Sequence, residues 1–194
     1  VMLDSGIGEV LIWIQQADGS FADPFPYAIG DGPVSLHVDD LNGDSLADLF
    51  AVQGTSRNVA VLRGRGGGEF APAAFTFVDD LLRGATLGEV DKDGRRDAIV
   101  HAFNTVYLLF GEDEGRFEAP IPILNGSSLR SVALAELTGE EFQDLVVVIG
   151  NTREILIQEG DGLGGFTTVF AFDTGSSAFP GEASAVDLDG DGLV

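Results

Sequence analysis

Short apolar stretches alternate with glycine-rich and acidic turns along the chain, and none keeps helical spacing for more than two turns. Residues 34–38 alternate between apolar and polar positions, which predicts a strand with one buried face. Residues 145–149 are all apolar, as is typical of a strand buried on both faces. A third strand is predicted at 106–110, and a more polar, outermost strand at 75–78 and 169–172. The pattern therefore predicts an all-β repeat of four short strands.

Two landmarks recur along the chain at the same interval. A phenylalanine that follows a glycine-rich turn returns every 47 to 49 residues, and an acidic loop returns every 47 to 51 residues. The landmarks are Phe21, Phe70, Phe117 and Phe166, and the loop starts Asp40, Glu89, Glu136 and Asp187. Because two independent markers keep one period, we predict tandem repeats of about 48 residues.

Four antiparallel strands in about 45 residues are what one β-propeller blade needs, because each sheet packs face to face on the next. We predict a β-propeller of four tandem four-stranded blades, with the chain starting and ending in mid-blade. The single domain divides into a partial blade at 1–30, repeats at 31–79, 80–126 and 127–174, and a strand and loop of a further or closing blade at 175–194. A fragment of a longer propeller, a closed four-bladed ring and half of a dimeric propeller all stay open, and open blade edges would permit homo-oligomers.

Acidic loops occupy the same place in each repeat, between the first and second strands: loop one at 40–48, loop two at 89–97, loop three at 136–144 and loop four at 187–194. Oxygen-bearing side chains stand at loop positions 1, 3 and 5, and an aspartate stands at position 9 of the first three. A loop that curls around one ion turns every second side chain inward, and Ca²⁺ takes about six to eight oxygen ligands. The predicted ligands are Asp40, Asn42, Asp44, Asp48 and the Leu46 carbonyl in loop one, Glu89, Asp91, Asp93, Asp97 and the Arg95 carbonyl in loop two, and Asp187, Asp189 and Asp191 in loop four.

Loop one and the strand after it read "DLNGDSLADLFAV", and loop two reads "EVDKDGRRDAIV". Apart from Ser45 at position 6 of loop one and Glu89 at position 1 of loop two, both match the pattern Asp-x-[Asp/Asn]-x-Asp-Gly-x-x-Asp followed by an apolar strand, and "LLFGEDEGRFEAP" matches a strand, glycine-rich turn and Phe-x-x-Pro ending. On these motifs the sequence resembles the FG-GAP/VCBS family of propeller repeats, which occurs in integrin α-subunit heads and in many exported bacterial proteins. The resemblance covers essentially the whole chain and implies a calcium-stabilised propeller.

Departures from this motif distinguish the loops. Ser45 stands at position 6 of loop one, where glycine is usual and a positive φ is expected. Loop three has Thr138 at position 3 and Glu141 at position 6, so we expect it to be free of metal. Loop four stops at Val194, one residue before position 9, which predicts a weakened or borrowed site.

Charge and composition exclude several classes of partner and site. Ten basic and 32 acidic side chains give a formal charge of -22, which would repel nucleic acids and anionic lipid surfaces. Adaptation to a salty medium and metal ligation both explain the acidity. The chain has no cysteine, which excludes disulfides and thiolate metal sites, and no apolar run approaches the roughly 20 residues of a membrane-spanning helix.

The two histidines, His37 and His101, lie in or beside strands rather than in a catalytic constellation. We expect a non-catalytic, calcium-stabilised binding or adhesion module for a protein or glycan ligand, located outside the cell, in the periplasm or at the cell surface. The alternatives are the scaffold of a secreted lyase or hydrolase and a lectin. For a lectin, Trp13, the only tryptophan, is the sole stacking platform that the sequence offers, but its place between Ile12 and Ile14 favours core packing.

Overall fold

A computed structural model describes residues 1–4, 6–139, 141–175, 181 and 183, and its only helical element is one 3₁₀ turn at Asp113–Gly115. Strands within this part of the chain form four antiparallel meanders and one small hairpin. The first sheet contains β1 (Met2–Asp4), β2 (Glu9–Ile12) and β3 (Phe25–Ala28), and the second contains β4 (Pro33–Asp39), β5 (Asp48–Gln53), β6 (Asn58–Leu62) and β7 (Ala74–Phe77). The third contains β8 (Gly84–Gly88), β9 (Asp97–His101), β10 (Thr105–Leu109) and β13 (Ile121–Asn125), and the hairpin is formed by β11 (Gly111–Glu112) and β12 (Arg116–Phe117). The fourth contains β14 (Leu129–Ala135), β15 (Asp144–Ile149), β16 (Glu154–Gly160) and β17 (Phe166–Asp173).

Each four-stranded sheet runs in chain order from an inner strand to an outer one, and the three-stranded first sheet matches the second, third and fourth strands of the others. The inner strands lie side by side, because β8 packs against both β4 and β14. The predicted all-β propeller architecture is thus confirmed. Most of the predicted segment 175–194 lies outside the described residues.

The second strand of each repeat supplies two cores at once. In β5, Leu49 and Ala51 pack in the core shared with the first sheet, whereas Phe50 and Val52 pack in the core shared with the third sheet. Ile99 of β9 likewise faces the fourth sheet. Because successive side chains of a strand point to opposite faces, a sheet sandwiched between two others needs apolar residues at every position. This is why the predicted doubly buried strands are continuous apolar runs.

Outer strands are the exposed edges of the sheets, as the sequence predicts. Phe75 and Phe77 of β7 and Phe170 and Phe172 of β17 are each more than half exposed. Sheets that fan out from a common centre diverge at the outside, so the fourth strand has less partner surface to cover it. The edges between sheets are consequently open enough to form cavities.

Candidate metal-binding loops and an inter-sheet cavity

Loop one folds around the carboxylate of its first residue. Asp40 Oδ1 accepts hydrogen bonds from the backbone N–H groups of Gly43 at 2.8 Å and Asp44 at 3.1 Å, and its Oδ2 accepts from the N–H of Ser45 at 2.8 Å. A side chain that satisfies three consecutive amides fixes the curl of the backbone. The negative charge at position 1 therefore organises the loop directly.

The next two oxygen-bearing side chains of loop one close successive turns. Asn42 Oδ1 accepts from the N–H of Asp44 at 2.9 Å, and Asp44 Oδ1 accepts from the N–H of Leu46 at 2.8 Å. The Asn42 side-chain amide also donates to Asp44 Oδ2 at 3.2 Å. Positions 1, 3 and 5 are thus brought together by the loop's own backbone. Their carboxylate and amide oxygens have the donor chemistry that Ca²⁺ prefers.

Loop two repeats this network with a longer first side chain. Glu89 Oε1 accepts from the N–H of Gly94 at 2.7 Å, Asp91 Oδ1 from the N–H of Asp93 at 3.1 Å, and Asp93 Oδ1 from the N–H of Arg95 at 2.8 Å. The glutamate reaches one of the three amides that Asp40 binds in loop one. Glu89 therefore fits at position 1 despite its extra methylene, but it accepts fewer backbone hydrogen bonds than Asp40 does.

Loop two also carries a cation of its own. The Arg95 guanidinium contacts the Asp93 carboxylate and donates to Asp113 Oδ1 at 2.9 and 3.1 Å. The corresponding residue of loop one is Leu46, which has no charge. Only the backbone carbonyl of Arg95 is a ligand predicted from sequence, because the second partner of its side chain, Asp113, lies 18 residues further along the chain. Positive charge beside Asp93 competes with any metal ion at that carboxylate.

The aspartate at position 9 is a buried staple in each of the first three loops. Its carboxylate accepts from the N–H of loop position 2 and from the N–H of a glycine at or just after the end of the third strand, and it is fully buried each time. The bonds run from Leu41 at 3.2 Å and Gly64 at 2.7 Å to Asp48, from Val90 and Gly111 at 2.8 Å each to Asp97, and from Leu137 at 2.8 Å and Gly160 at 3.1 Å to Asp144. Position 9 thus ties each loop to the hairpin between the third and fourth strands.

Burial changes the acid–base behaviour of the position-9 aspartates in loops one and two. Loss of solvation raises the pKa of Asp48, and it raises the pKa of Asp97 to about 6, with the neighbouring Asp91 and Asp93 charges adding to the rise. Backbone N–H donors oppose the shift in both cases. A positive ion in the loop would favour the ionised form of each carboxyl.

Two positions in the loops require a left-handed backbone. Position 4 has φ of +76° at Gly43 and +61° at Lys92, and position 6 has φ of +67° at Ser45 and +87° at Gly94. The predicted positive φ at Ser45 is confirmed. Loops one and two each have a glycine at one of these positions and a residue with a side chain at the other. Each loop therefore contains one strained left-handed residue, Ser45 in loop one and Lys92 in loop two.

Gly94→Ala is expected to lower the free energy of unfolding by about 1 kcal/mol, purely through the cost of a left-handed alanine. No atom of the described residues lies within 4 Å of the site that a Cβ would occupy, so no steric clash with them contributes. Urea denaturation measures the change. Gly181→Ala is the control, because its Cβ also meets no atom of the described part of the chain within 4 Å and its φ is not in the left-handed region. Equal stability of the two variants would contradict the backbone explanation.

Neighbouring loops are connected through position 8. Arg96 Nε lies 3.0 Å from Asp39 Oδ2, and the Arg96 N–H donates to the Leu41 carbonyl oxygen at 3.2 Å. In the next pair, Gln143 Oε1 accepts from the Glu89 N–H at 2.8 Å. These contacts were missed from sequence, because position 8 has no recurring residue type.

Loops three and four differ in how much of them is described. In loop three, Thr138 donates to Asp144 through both its N–H at 2.8 Å and its hydroxyl at 3.3 Å, and Glu141 pairs with Lys92 of loop two at 3.1 Å. Glu140 at position 5 lies outside the described residues, as do the ligands predicted for loop four. Those ligands are Asp187, Asp189 and Asp191.

Among the described side chains, no three His, Cys, Asp or Glu residues form a ready-made metal cage. The fit of loop one to Ca²⁺ therefore rests on its oxygen donors and their alternate spacing. His37 is half-buried against Phe50, His101 is fully buried, and burial lowers the pKa of both. The described part of the chain contains no helix long and apolar enough to cross a membrane.

A separate cavity of 420 Å³ opens between the first and second sheets. Phe25 and Tyr27 of β3 line one side, and the glycine-rich turn that ends at Phe70 lines the other. Trp13, the expected core residue, is only partly buried and belongs to none of the three apolar cores of the described residues. Phe25, Tyr27 and Phe70 therefore supply the aromatic surface of this cavity, and not the tryptophan singled out from sequence.

Comparison with known proteins agrees with this architecture. Residues 40–100, which contain loops one and two, match the model of the FG-GAP-like repeat. An Agrocybe aegerita lectin that recognises non-reducing terminal N-acetylglucosamine has a similar solved structure, with a TM-score of 0.59 and 21% identity over 84% of this chain and 46% of its own. A protein from Lactobacillus plantarum gives a TM-score of 0.63 and 13% identity over 92% of this chain and 53% of its own.

The chain thus spans about half the length of the solved structures it matches. No curated protein matches it significantly. At these identities the structural likeness shows the fold alone, whereas the match at residues 40–100 confirms the predicted repeat type.

Proposed function

We propose, from the premise that residues 40–100 are an FG-GAP-like repeat within a propeller fold, that the chain is a calcium-stabilised, non-catalytic module that binds glycans outside the cell. The observation that carries the proposal is the arrangement of loop one, whose oxygen-bearing side chains at positions 1, 3 and 5 are drawn together by the loop's own amides. Calcium is the hard cation that this donor set suits best.

Loop one would hold the ion through Asp40, Asn42, Asp44 and Asp48 together with the carbonyl of Leu46. When bound, calcium supplies positive charge that offsets the repulsion among neighbouring carboxylates. Asp48 is the first residue of β5 and Asp40 directly follows β4, so ligation at these two residues would hold both strands. The role of the ion in this proposal is to stiffen the rim of the sheet rather than to take part in a reaction.

The resemblance to exported repeat proteins and the physical demands of weak calcium sites both support a location outside the cell. Calcium sites of micromolar or weaker affinity fill only where calcium is abundant. The formal charge of -22 favours a neutral glycan over nucleic acid or anionic lipid, because a neutral ligand is not repelled by the acidic surface. The similar fold of the N-acetylglucosamine-binding lectin supports the same class of ligand.

An array of neutral and acidic glycans tests this function directly. The purified chain, applied in millimolar calcium, is expected to bind neutral glycans and to lose signal in excess EGTA, because chelation loosens the calcium-dependent rim. A magnesium-only buffer is the control for divalent charge in general. Absence of binding to every neutral glycan would contradict the proposed ligand class, and binding unchanged by EGTA would contradict the role of calcium.

A further inference from the structure

The 420 Å³ cavity lies where the outer edges of the first and second sheets diverge. Its walls include the rings of Phe25, Tyr27 and Phe70, and its lining includes the polar side chains of Gln16 and Glu69. The volume falls within the range of small-molecule sites, which combine apolar and aromatic walls with a few polar groups. The cavity therefore has the size and the mixed lining of a binding site for a small amphipathic ligand.

Strand pairing explains why the two rings of β3 face the second sheet. Phe25 lies opposite Ile12 and Tyr27 lies opposite Val10, so each ring shares a face with its partner. Both partners belong to the core between the first and second sheets. Phe25 continues that face outward beyond the core, where it is 58% exposed.

The second aromatic wall is held by a hydrogen bond across the sheets. The Phe70 N–H donates to the Tyr27 hydroxyl oxygen at 3.2 Å, and the two rings meet edge to face with centroids 5.5 Å apart. A ring fixed by both packing and a hydrogen bond has little freedom left to lose on binding. Phe25 thus stands exposed beside a preorganised Tyr27–Phe70 pair.

The polar groups of the cavity come from two turns whose backbones are already satisfied. The Glu69 N–H donates to the Gly66 carbonyl oxygen at 3.1 Å, and the Glu69 carbonyl oxygen accepts from the Arg65 N–H at 2.9 Å. The Gln16 side-chain amide donates to the Ile14 carbonyl oxygen at 3.4 Å. An exposed carboxylate and an exposed carboxamide offer both acceptors and donors to a hydroxylated ligand.

Gly68 sets the depth of the cavity. A Cβ at this position would lie 2.0 Å from Ile14 Cδ1, and the backbone has φ of +84°. Only glycine combines this left-handed backbone with such a close approach to the first sheet. The turn is therefore pressed against Ile14, which brings Glu69 to the cavity.

The equivalent junction between the second and third sheets shows which residues sheet packing itself requires. One repeat later, 49 residues on, Ala74 and Thr76 replace Phe25 and Tyr27. Thr76 still contacts the next repeat, because its hydroxyl donates to the Phe117 carbonyl oxygen at 3.4 Å, but the cavity there measures only 170 Å³. Sheet packing thus needs no aromatic residues at these two positions. The junction between the first and second sheets has the larger cavity, and both Phe25 and Tyr27 line it.

We infer that this cavity binds one neutral pyranose unit of a glycan. A pyranose has an apolar C–H face, which would lie on the Phe25 ring, and a rim of hydroxyls, which would bond with Gln16 and Glu69. The carboxylate and the acidic surface oppose an anionic sugar. This inference rests on the proposed glycan-binding function and gives that function a site.

Saturation-transfer NMR with free N-acetylglucosamine, glucose, galactose and mannose tests the site. Signal is expected on the ring protons of at least one sugar, and Phe25→Ala should weaken its binding by about tenfold through loss of the stacking face. Gln16→Ala, in an exposed turn, is a second variant with an expected severalfold loss. Phe172→Ala is the matched control, because Phe172 is also a half-exposed phenylalanine on an outermost strand.

The outcomes separate the site from the function. Weaker binding in Phe25→Ala and unchanged binding in Phe172→Ala support the cavity. Sugar binding that survives both Phe25→Ala and Gln16→Ala overturns the cavity and leaves the glycan-binding function standing. A wild-type chain that binds no sugar here and no glycan on the array overturns both proposals.

Discussion

Asp144→Ala is expected to lower the free energy of unfolding by about 3 kcal/mol, because three backbone donors lose their buried acceptor. The Asp144 carboxylate accepts from the N–H groups of Leu137 and Thr138 at 2.8 Å and of Gly160 at 3.1 Å. The side chain is fully buried, so water cannot take its place without opening the loop. Urea denaturation monitored by circular dichroism measures the loss.

Asp161→Ala is the matched control for this substitution. Asp161 also accepts two backbone N–H groups, from Leu163 and Gly165 at 2.8 Å each, but it does so at the exposed surface. Water replaces an exposed acceptor, so the expected loss is below about 1 kcal/mol. A loss in Asp144→Ala no larger than that of the control would refute the staple.

Asp144 isolates the hydrogen-bonding role of position 9, because loop three is expected to be free of metal. The loss of stability in Asp144→Ala should then be the same in calcium and in EGTA. The equivalent Asp48 and Asp97 serve as both staple and predicted calcium ligand, so substitution there would combine the two effects. A calcium-dependent loss at Asp144 would show instead that loop three binds the ion.

Calcium is expected to raise the free energy of unfolding of the wild-type chain by about 2.7 kcal/mol when its free concentration reaches a hundred times the dissociation constant. Loop one should provide the tightest site, since no basic side chain among the described residues pairs with Asp44 as Arg95 pairs with Asp93 in loop two. Thermal melting in millimolar calcium and in EGTA measures the shift, and calorimetric titration counts the sites.

Asp44→Ala should remove the tightest binding event and most of the calcium-dependent rise in melting temperature. Its effect in EGTA should be small, because Asp44 is exposed and, within the described part of the chain, accepts from one backbone amide, that of Leu46. Asp161→Ala again is the control and should keep the full response to calcium. Melting curves of the wild-type chain that coincide in calcium and EGTA would rule out a stabilising calcium site.

Local features of the loops were predictable from sequence. The alternate oxygens at positions 1, 3 and 5 bind amides within five residues of themselves, so the pattern of Asp40, Asn42 and Asp44 specifies the turn without help from the rest of the chain. The positive φ of Ser45 follows in the same way from its place in that turn. Interactions of this range depend on neighbouring residues only, which a single sequence displays.

Contacts over longer distances along the chain were not predictable in this way. The second partner of each position-9 aspartate lies 14 to 16 residues away, the Arg96 side chain reaches Asp39 at the end of β4, and the Arg95 guanidinium reaches Asp113. Loop positions 7 and 8 carry different residues in each of the first three loops, so neither arginine contact belongs to the repeat pattern. Only the folded arrangement of strands and loops determines which of the many acidic and basic side chains meet.

The sequence by itself determined the period, the four-strand repeat and the acidic loops, because strands and turns reflect local alternation of apolar, acidic and glycine residues. Tertiary structure alone decided which faces of those strands meet. It placed Phe25 and Tyr27 of one repeat opposite the turn of the next, and it left the tryptophan outside the described cores. A cavity between sheets is made by residues distant in sequence, so its shape exists only once the sheets have packed.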